Sequence, residues 1–195
     1  HNAGIGAVAF ALADEELIKA VIDGPSGFRF HIDRSVTPDG FWYEGSFTYH
    51  YYALDSLIQL AEMASRSGHD LWAEMKFRKM FESPLLFAFA DGTLAPFNDA
   101  TTVNFRNYSR MYESAFAHWG DPRFAAVAGS RSRGRDALLF GAPSLEGGEA
   151  AQLQSTVFED SGYAVLRSST DHTLTLKYGP HGGGHGHNDK LNFVS

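Results

Sequence analysis

The chain has 195 residues, of which 44% are hydrophobic and 14% aromatic, enough to fill the core of one large domain or two small ones. A formal net charge of −7 and the lack of a long apolar run argue against nucleic acid and membrane as partners. The absence of cysteine excludes disulfides and thiolate metal sites, and it leaves the compartment open between the cytoplasm and the periplasm of a bacterium.

Helical signals fill the first part of the chain. Residues 3–13 are small and apolar, which predicts a buried helix, and Asp14 is placed to cap a second helix that begins with two glutamates. An Asp-Gly-Pro sequence at 23–25 predicts the end of that helix. A loop rich in glycine, proline and aromatic residues is expected from there to Gly45.

From Ser46, apolar and aromatic residues recur at three and four spacing, which predicts a regular helix closed by Gly68. Further short helices are predicted over 71–81, from Pro84, over 105–118 and from Pro122. Repeated helices joined by brief turns suggest a helical array or toroid rather than a compact bundle, although periodicity leaves both open.

Alternating apolar and polar residues near the end of the chain predict an antiparallel sheet. The predicted strands are 155–158, 163–167, 173–178 and 190–195, the last without a turn or a partner. The fold class is therefore α+β, with a helical domain over 1–136 and a sheet domain over 137–195. Because the chain begins inside an apolar run and ends on a strand, we expect it to be part of a longer protein.

The segment 179–193 holds three of the nine histidines among many glycines. Imidazole titrates near neutrality, and glycine lets backbone and ligand approach closely. If the segment is extended, His185, His187 and Asp189 lie at i, i+2 and i+4 and point to one face. A solvated loop is the plain alternative, but three histidines with an aspartate favour a site for proton transfer or metal binding.

A second segment with candidate functional side chains is 39–54, which is rich in aromatic residues. Most of these rings are expected to fill the core, although some, such as Trp42, have the character of sugar-stacking residues. Tyr49 and His50 stand apart, because a phenol and an imidazole side by side at a helix start can reach a cleft.

Six short segments match the pattern of one enzyme family. They are Asp39 to Gly45, the pair Tyr49-His50, Pro96 to Asp99, Asp160 to Tyr163, Gly179 to His187 and Asp189 to Leu191. In these segments the chain resembles the heparinase II/III-like polysaccharide lyases, and among them it is most similar to the oligoalginate lyases. The resemblance runs over nearly the whole chain, and it implies part of an (α/α) toroid followed by the start of an antiparallel β-sandwich.

The resemblance also implies a reaction, β-elimination on a uronic acid, with alginate oligomers as the expected substrate and exo action. Such a lyase must neutralise the C6 carboxylate, remove the C5 proton and protonate the departing O4. A tyrosine hydroxyl can act as the acid, and also as the base where neighbouring cations lower its pKa. The expected partner is an acidic oligosaccharide, and a homodimer is left open.

Carried over by position, Tyr49 matches the catalytic tyrosine, with Tyr51 and Tyr52 less favoured, and His185 matches the histidine near the substrate carboxylate. His187 matches a position that binds a structural zinc in some members, whose other ligands lie beyond this chain; the chemistry needs no cofactor. The family's base or neutraliser lies ahead of His1. Substrate-binding roles are expected for Trp42, Glu44, His50, His181 and Lys190.

Other functions remain open at this stage. One is metal-assisted hydrolysis, with His185, His187 and Asp189 as ligands. Another is a non-catalytic carbohydrate-binding domain, and a third is a lyase for heparin-type glycosaminoglycans. Sulfate recognition needs clustered arginine and lysine, whereas the segments expected to form the cleft are more aromatic than basic, which favours an unsulfated uronan.

Overall fold

The computed structural model describes residues 1–168, 172–188 and 190–195, and in them helices come before the main sheet. The helices are α1 (Asn2–Leu12), α2 (Glu15–Asp23), α3 (Phe28–Arg34), α4 (Phe47–Arg66), α5 (Met75–Phe87), α6 (Ser109–Trp119), α7 (Pro122–Ala128) and α8 (Arg135–Phe140). Short 3₁₀ turns occupy Phe105–Tyr108 and Gly183–His185. The strands are β1 (Thr93–Leu94), β2 (Val103–Asn104), β3 (Thr156–Phe158), β4 (Tyr163–Arg167), β5 (Thr173–Lys177) and β6 (Asn192–Val194). The predicted α+β class is confirmed.

The main sheet is antiparallel with the strand order β3-β4-β5-β6. Tyr163 pairs with Lys177 between β4 and β5, and Thr175 pairs with Val194 between β5 and β6. The prediction that the last strand has no partner was therefore wrong, because β6 forms the edge of this sheet. The change from helices to strands falls between Phe140 and Thr156, and the predicted division after residue 136 stays a prediction.

Three helix predictions need correction. The helix over 3–13 was expected to be buried, but α1 buries only Gly6 and Ala9 among the described residues, and most of its larger apolar side chains are exposed. The loop expected between Asp23 and Gly45 contains α3, which buries Phe28 and Ile32 one turn apart on the same face. Pro84 does not begin a helix but lies inside α5. A proline cannot donate to the carbonyl four residues back, so the Met80 oxygen loses its helical partner. The His50 ring supplies one instead, with Nε2 at 2.9 Å from that oxygen.

One aromatic core joins the helices to the sheet. The ring of Phe41, in the loop before α4, stands edge-on to Phe158 at 4.9 Å and to Tyr163 at 5.6 Å between ring centroids. The Tyr163 hydroxyl also donates to the Gly45 carbonyl at 2.9 Å. Burial of these rings against each other fixes the loop before α4 on the sheet.

A hydrogen bond at the start of the same loop adds to this anchor. The backbone N–H of Ser161 donates to Asp39 Oδ2 at 2.7 Å, and the hydroxyls of Thr37 and Ser161 lie 2.8 Å apart. The loop before α4 is therefore tied to the sheet region at both of its ends, through Asp39 and through Gly45. Among the described residues, no helix is long and apolar enough to cross a bilayer.

Candidate active site

A cleft of about 470 Å³ lies beside the first turns of α4, within the size range of small-molecule sites. Apolar side chains of α4 form much of one wall, and imidazole, phenol and carboxylate groups stand on the others. Its lining residues include His1, Ser26, His31, Trp42, Glu44, Tyr49, Tyr52, Leu57 and His185. No arginine or lysine lines this cleft in the part of the chain that the structure describes.

The glycine-rich segment reaches the cleft by packing closely on the loop before α4. Gly182 has φ +87° and lies so near the Glu44 carbonyl that a Cβ would overlap it, and a Cβ on Gly183 would stand 2.8 Å from the Tyr43 ring. Glycine is required here for the approach of two backbones. The expected extended conformation is wrong at its first residue, since Gly183–His185 forms a 3₁₀ turn.

Tyr49 and His185 meet in the cleft, one from the helical part and one from the glycine-rich segment. Their rings stack with centroids 4.3 Å apart and planes inclined by 29°. The Tyr49 hydroxyl donates to Asp99 Oδ2 at 2.9 Å. His185 Nδ1 lies 3.3 Å from the same oxygen, and His187 Nε2 lies 3.8 Å from the other oxygen of Asp99. One carboxylate thus faces Tyr49, His185 and His187, the three residues predicted to be catalytic or metal-binding.

The carboxylates near Tyr49 determine its protonation. The hydrogen bond to Asp99 raises the pKa of the Tyr49 hydroxyl, and the charges of Asp99 and Glu44 act in the same direction. The same hydrogen bond lowers the pKa of Asp99. Tyr49 is therefore a phenol at neutral pH. The expected role of Tyr49 as a base required cations that lower its pKa. The described structure instead places carboxylates beside it, and they raise its pKa.

His50 was predicted to bind substrate, and the structure corrects this prediction. The residue is 1% exposed on the side of α4 that faces the core. Its Nε2 bonds to the Met80 carbonyl, and its Nδ1 accepts the N–H of Trp42 at 3.2 Å. Burial lowers the pKa of His50 to about 4, so the ring is neutral and both nitrogens are occupied within the protein.

Of the other two tyrosines of α4, one is buried in the core and one lines the cleft. Tyr51 is fully buried, stacks on Tyr108 at 3.9 Å and shares a hydrogen bond of 3.0 Å with the Tyr112 hydroxyl. Its position excludes it from the cleft. Tyr52 is 77% exposed and lines the cleft, although Tyr49 alone of the three stacks on His185.

Two predicted substrate-binding residues line the cleft and contact each other. Trp42 Nε1 donates to Glu44 Oε2 at 2.7 Å. The other Glu44 oxygen lies 3.8 Å from His185 Nε2. Glu44 therefore stands on the side of His185 opposite to Asp99, and the imidazole is placed between two carboxylates.

His181 and Lys190, also predicted to bind substrate, do not line this cleft. His181 Nδ1 lies 3.1 Å from the His187 carbonyl, a contact inside the glycine-rich segment that shapes the turn. Lys190 is exposed in the turn before β6. Neither side chain is among the described residues that line the cleft, and their substrate-binding roles stay predictions.

The described residues do not fit a metal site. They contain no group of three or more histidine, cysteine, aspartate or glutamate side chains arranged to hold an ion. His187, the expected zinc ligand, is 56% exposed and faces one oxygen of Asp99. Asp189, which the hydrolysis hypothesis requires as a ligand, lies outside the described residues.

The analysis of the sequence gave no role to Asp99 or His31, both of which belong to this region. Asp99 lies in the Pro96 to Asp99 segment that carries the family resemblance, which was the available signal. His31 lies on α3, in what was predicted to be loop, and its Nδ1 is buried with no hydrogen-bond partner among the described residues. Burial lowers the pKa of His31.

Comparisons with known proteins concern the sequence and the fold of the chain. Residues 1–89 match the family model Alginate lyase, and residues 150–194 match the model Heparinase II/III-like, C-terminal. A heparinase III gene product of known structure superposes with a TM-score of 0.75 at 18% identity, covering 98% of this chain and 29% of that one. The heparan sulfate lyase HepC from Pedobacter heparinus gives 0.72 at 18% identity, with the same two coverages. These likenesses concern the fold.

Together, the models and the fold confirm the resemblance to the heparinase II/III-like polysaccharide lyases. A more particular likeness is to an alginate lyase of Stenotrophomonas maltophilia (strain K279a), which is 26% identical over 226 aligned positions. That alignment covers 98% of this chain and 29% of the relative, so the chain spans less than a third of the relative's length.

Proposed function

We propose that the protein is a polysaccharide lyase that cleaves uronic-acid-containing oligosaccharides by β-elimination, with alginate oligomers as the first substrate class and exo action. The observation that carries this proposal is the stacking of Tyr49 on His185 at 4.3 Å inside a cleft. A phenol and an imidazole held together in this way supply two of the groups that elimination requires.

In this proposal Tyr49 is the general acid. A base removes the C5 proton, the electron pair forms the C4–C5 double bond, the C4–O4 bond breaks, and the Tyr49 proton goes to O4. Its raised pKa suits this role, because the hydroxyl carries its proton at neutral pH. The phenol regains a proton from water after the product leaves.

The remaining roles are neutralisation of the uronate carboxylate and removal of the C5 proton. His185 takes the first role through Nε2, because its Nδ1 faces Asp99. A carboxylate only accepts hydrogen bonds, so Nε2 binds it in the protonated form of the ring. Since Tyr49 is held as a phenol, a different group must accept the C5 proton. The resemblance implies a base ahead of His1, and we assign this step to no residue of this chain.

The charge of the cleft supports an unsulfated substrate. Sulfate groups are bound by clustered arginine and lysine, and the described lining holds neither. A glycosaminoglycan lyase is the second candidate, and the likeness in fold to a heparan sulfate lyase favours it. A carbohydrate-binding domain without catalysis remains as a third outcome of the experiment below.

We assign no step of the reaction to a metal. A structural zinc at His187 would need further donors, which the described residues do not bring to it. Chelation is therefore expected to leave kcat unchanged even where it lowers the melting temperature.

The test is to incubate the protein with alginate, alginate oligomers and heparan sulfate and to record ultraviolet absorbance of the unsaturated product for each. Absorbance from alginate oligomers supports the proposal, and absorbance from heparan sulfate alone supports the second candidate. Cleavage without absorbance indicates a hydrolase, and binding without cleavage indicates a binding domain; either result contradicts the proposal.

A further inference from the structure

We propose that Asp99 is a positioning residue that sets the tautomer of His185 and the direction of the Tyr49 hydroxyl before substrate binds. This inference rests on the proposed lyase function. Its basis is that one carboxylate oxygen, Asp99 Oδ2, lies 2.9 Å from the Tyr49 hydroxyl and 3.3 Å from His185 Nδ1.

The contact with His185 determines which nitrogen carries the proton. A carboxylate only accepts hydrogen bonds, so an imidazole that faces it through Nδ1 holds its proton there. The lone pair of the neutral ring then lies on Nε2, which faces the cleft and Glu44 at 3.8 Å. Nε2 is therefore free to receive a proton on the side where substrate binds, in the way that an orienting carboxylate prepares a catalytic histidine. Once protonated, Nε2 can donate to the uronate carboxylate, while Nδ1–H stays on Asp99.

The contact with Tyr49 fixes the second group. The hydroxyl of a tyrosine can turn about its C–O bond, and Asp99 at 2.9 Å selects the direction of its proton before substrate binds. In the proposed reaction the hydroxyl turns this proton from Asp99 to O4. Because the Tyr49 and His185 rings also stack, the two groups are held relative to each other by one shared oxygen and one ring contact. Such a fixed pair loses little entropy when substrate arrives.

The backbone around Asp99 is itself anchored. The Ser46 hydroxyl, at the start of α4, donates to the Asp99 carbonyl at 3.4 Å. The preceding residue, Asn98, is buried with φ +57°, donates to the Glu44 carbonyl at 2.9 Å and accepts a hydrogen bond from Lys177 of β5. Asp99 thus projects from a point tied to α4, to the loop before it and to the sheet.

A purely structural role fits Asp99 poorly. Its side chain is 48% exposed, so it fills no core space. Its described side-chain contacts are all with Tyr49, His185 and His187. An exposed ion pair contributes little to stability, so the value of this carboxylate must lie mainly in the geometry that it imposes.

The first arm of the test does not depend on activity. Nitrogen-15 NMR of the histidine rings at about pH 8.5, where ordinary imidazoles are neutral, reports the tautomer of each ring. The His185 signal is assigned by its loss in His185→Gln. We expect the Nδ1–H form in the native protein and a shift toward Nε2–H in Asp99→Ala. An Nε2–H form in the native protein overturns the inference.

The second arm measures turnover. Asp99→Ala should lower kcat by about 10- to 100-fold, as loss of an orienting partner commonly does, with a much smaller change in KM. Asp99→Glu should recover part of the loss, because it restores a carboxylate. The matched control is Asp91→Asn, which alters a carboxylate of the β1–β2 hairpin that bonds to Thr93 and lies outside the cleft. Its kcat should equal that of the native protein.

Equal kcat values for Asp99→Ala and the native protein overturn the inference while leaving the lyase function intact. If the native protein forms no unsaturated product from any uronan, the proposed function fails, and the NMR arm still decides whether Asp99 positions His185. Should Asp99→Ala not fold, Asp99→Leu, which keeps a side chain of similar length without a hydrogen-bond acceptor, replaces it in both arms.

Discussion

The two sides of the first turn of α4 differ in what they do with the same residue types. On the cleft side, Tyr49 donates to a half-exposed carboxylate and stacks on a histidine whose side chain is 44% exposed. On the core side, His50 and Tyr51 are at most 1% exposed, and their polar atoms bond to groups of the core.

This difference shows that helix geometry decides which of two adjacent residues lines the cleft and which packs in the core. Successive side chains on a helix are separated by 100°, so Tyr49 and His50 cannot both face the cleft. The pKa directions follow: carboxylates raise that of Tyr49, and burial lowers that of His50 to about 4. The cleft side holds a proton donor, whereas the core side holds a neutral ring.

The largest expected effect is loss of turnover in Tyr49→Phe. The variant removes the proposed proton donor, and general acid catalysis contributes about 100- to 10,000-fold to rate. The fold should persist, because the lost hydroxyl bonds only to Asp99 among the described residues. Steady-state rates on alginate oligomers check this. A Tyr49→Phe variant with native turnover would remove Tyr49 from the mechanism.

Next in size is the effect of pH on stability through His50. In the folded protein the pKa of His50 is about 4, below the ordinary value of 6.5. Between pH 6.5 and pH 4 the unfolded chain therefore binds a proton at His50 that the folded chain does not bind. Stability should therefore fall as pH drops from about 6.5 to about 4, by about 3 kcal/mol from this group. Urea unfolding of the native protein and of His50→Gln across this range measures the contribution.

All other histidines are common to both proteins, so the difference in pH slope isolates His50. A His50→Gln variant with the same slope as the native protein would show that His50 is not buried as a neutral ring.

A smaller effect is expected where the glycine-rich segment meets the loop before α4. Gly182→Ala places a Cβ on a left-handed residue and against the Glu44 carbonyl, which should cost about 1–3 kcal/mol and displace His185. Gly184→Ala is the control, since nothing lies within 4 Å of its added Cβ. Melting temperatures and turnover of both variants test this. Equal stability of the two would argue against the close packing of the segment.

The smallest effect belongs to Tyr51→Phe, the core counterpart of Tyr49→Phe. Tyr112 still donates to the Phe81 carbonyl at 3.2 Å after the change, so the loss should be about 1 kcal/mol. Turnover should stay native because Tyr51 does not reach the cleft. Denaturant unfolding and rates on the same substrate check both statements. A large loss of turnover here would erase the distinction between the two sides of α4.

The regular elements were predictable because their signals are local. The periodic helix α4 and the alternating strand β4 were located to within a residue or two of their observed ends. The stop at Asp23-Gly24-Pro25 also depends on neighbours in the sequence, and α2 ends there.

The features that could not be predicted from the sequence depend on contacts between residues far apart in the chain. Pro84 continues a helix because His50, more than 30 residues earlier, takes the free carbonyl of Met80. Asp99 joins the site through contacts with Tyr49 and His185, which lie 50 and 86 residues away. The same pattern that singled out the Tyr49-His50 pair could not say which member faces the cleft, since both stand at one helix start.

The most direct test of the central claim is a crystal structure of Tyr49→Phe with an alginate oligosaccharide bound. The account predicts the glycosidic O4 next to the ring edge of residue 49 and the neighbouring uronate carboxylate within hydrogen-bond distance of His185 Nε2. An oligosaccharide seated away from the Tyr49–His185 stack, or oriented with its carboxylate away from His185, would contradict it.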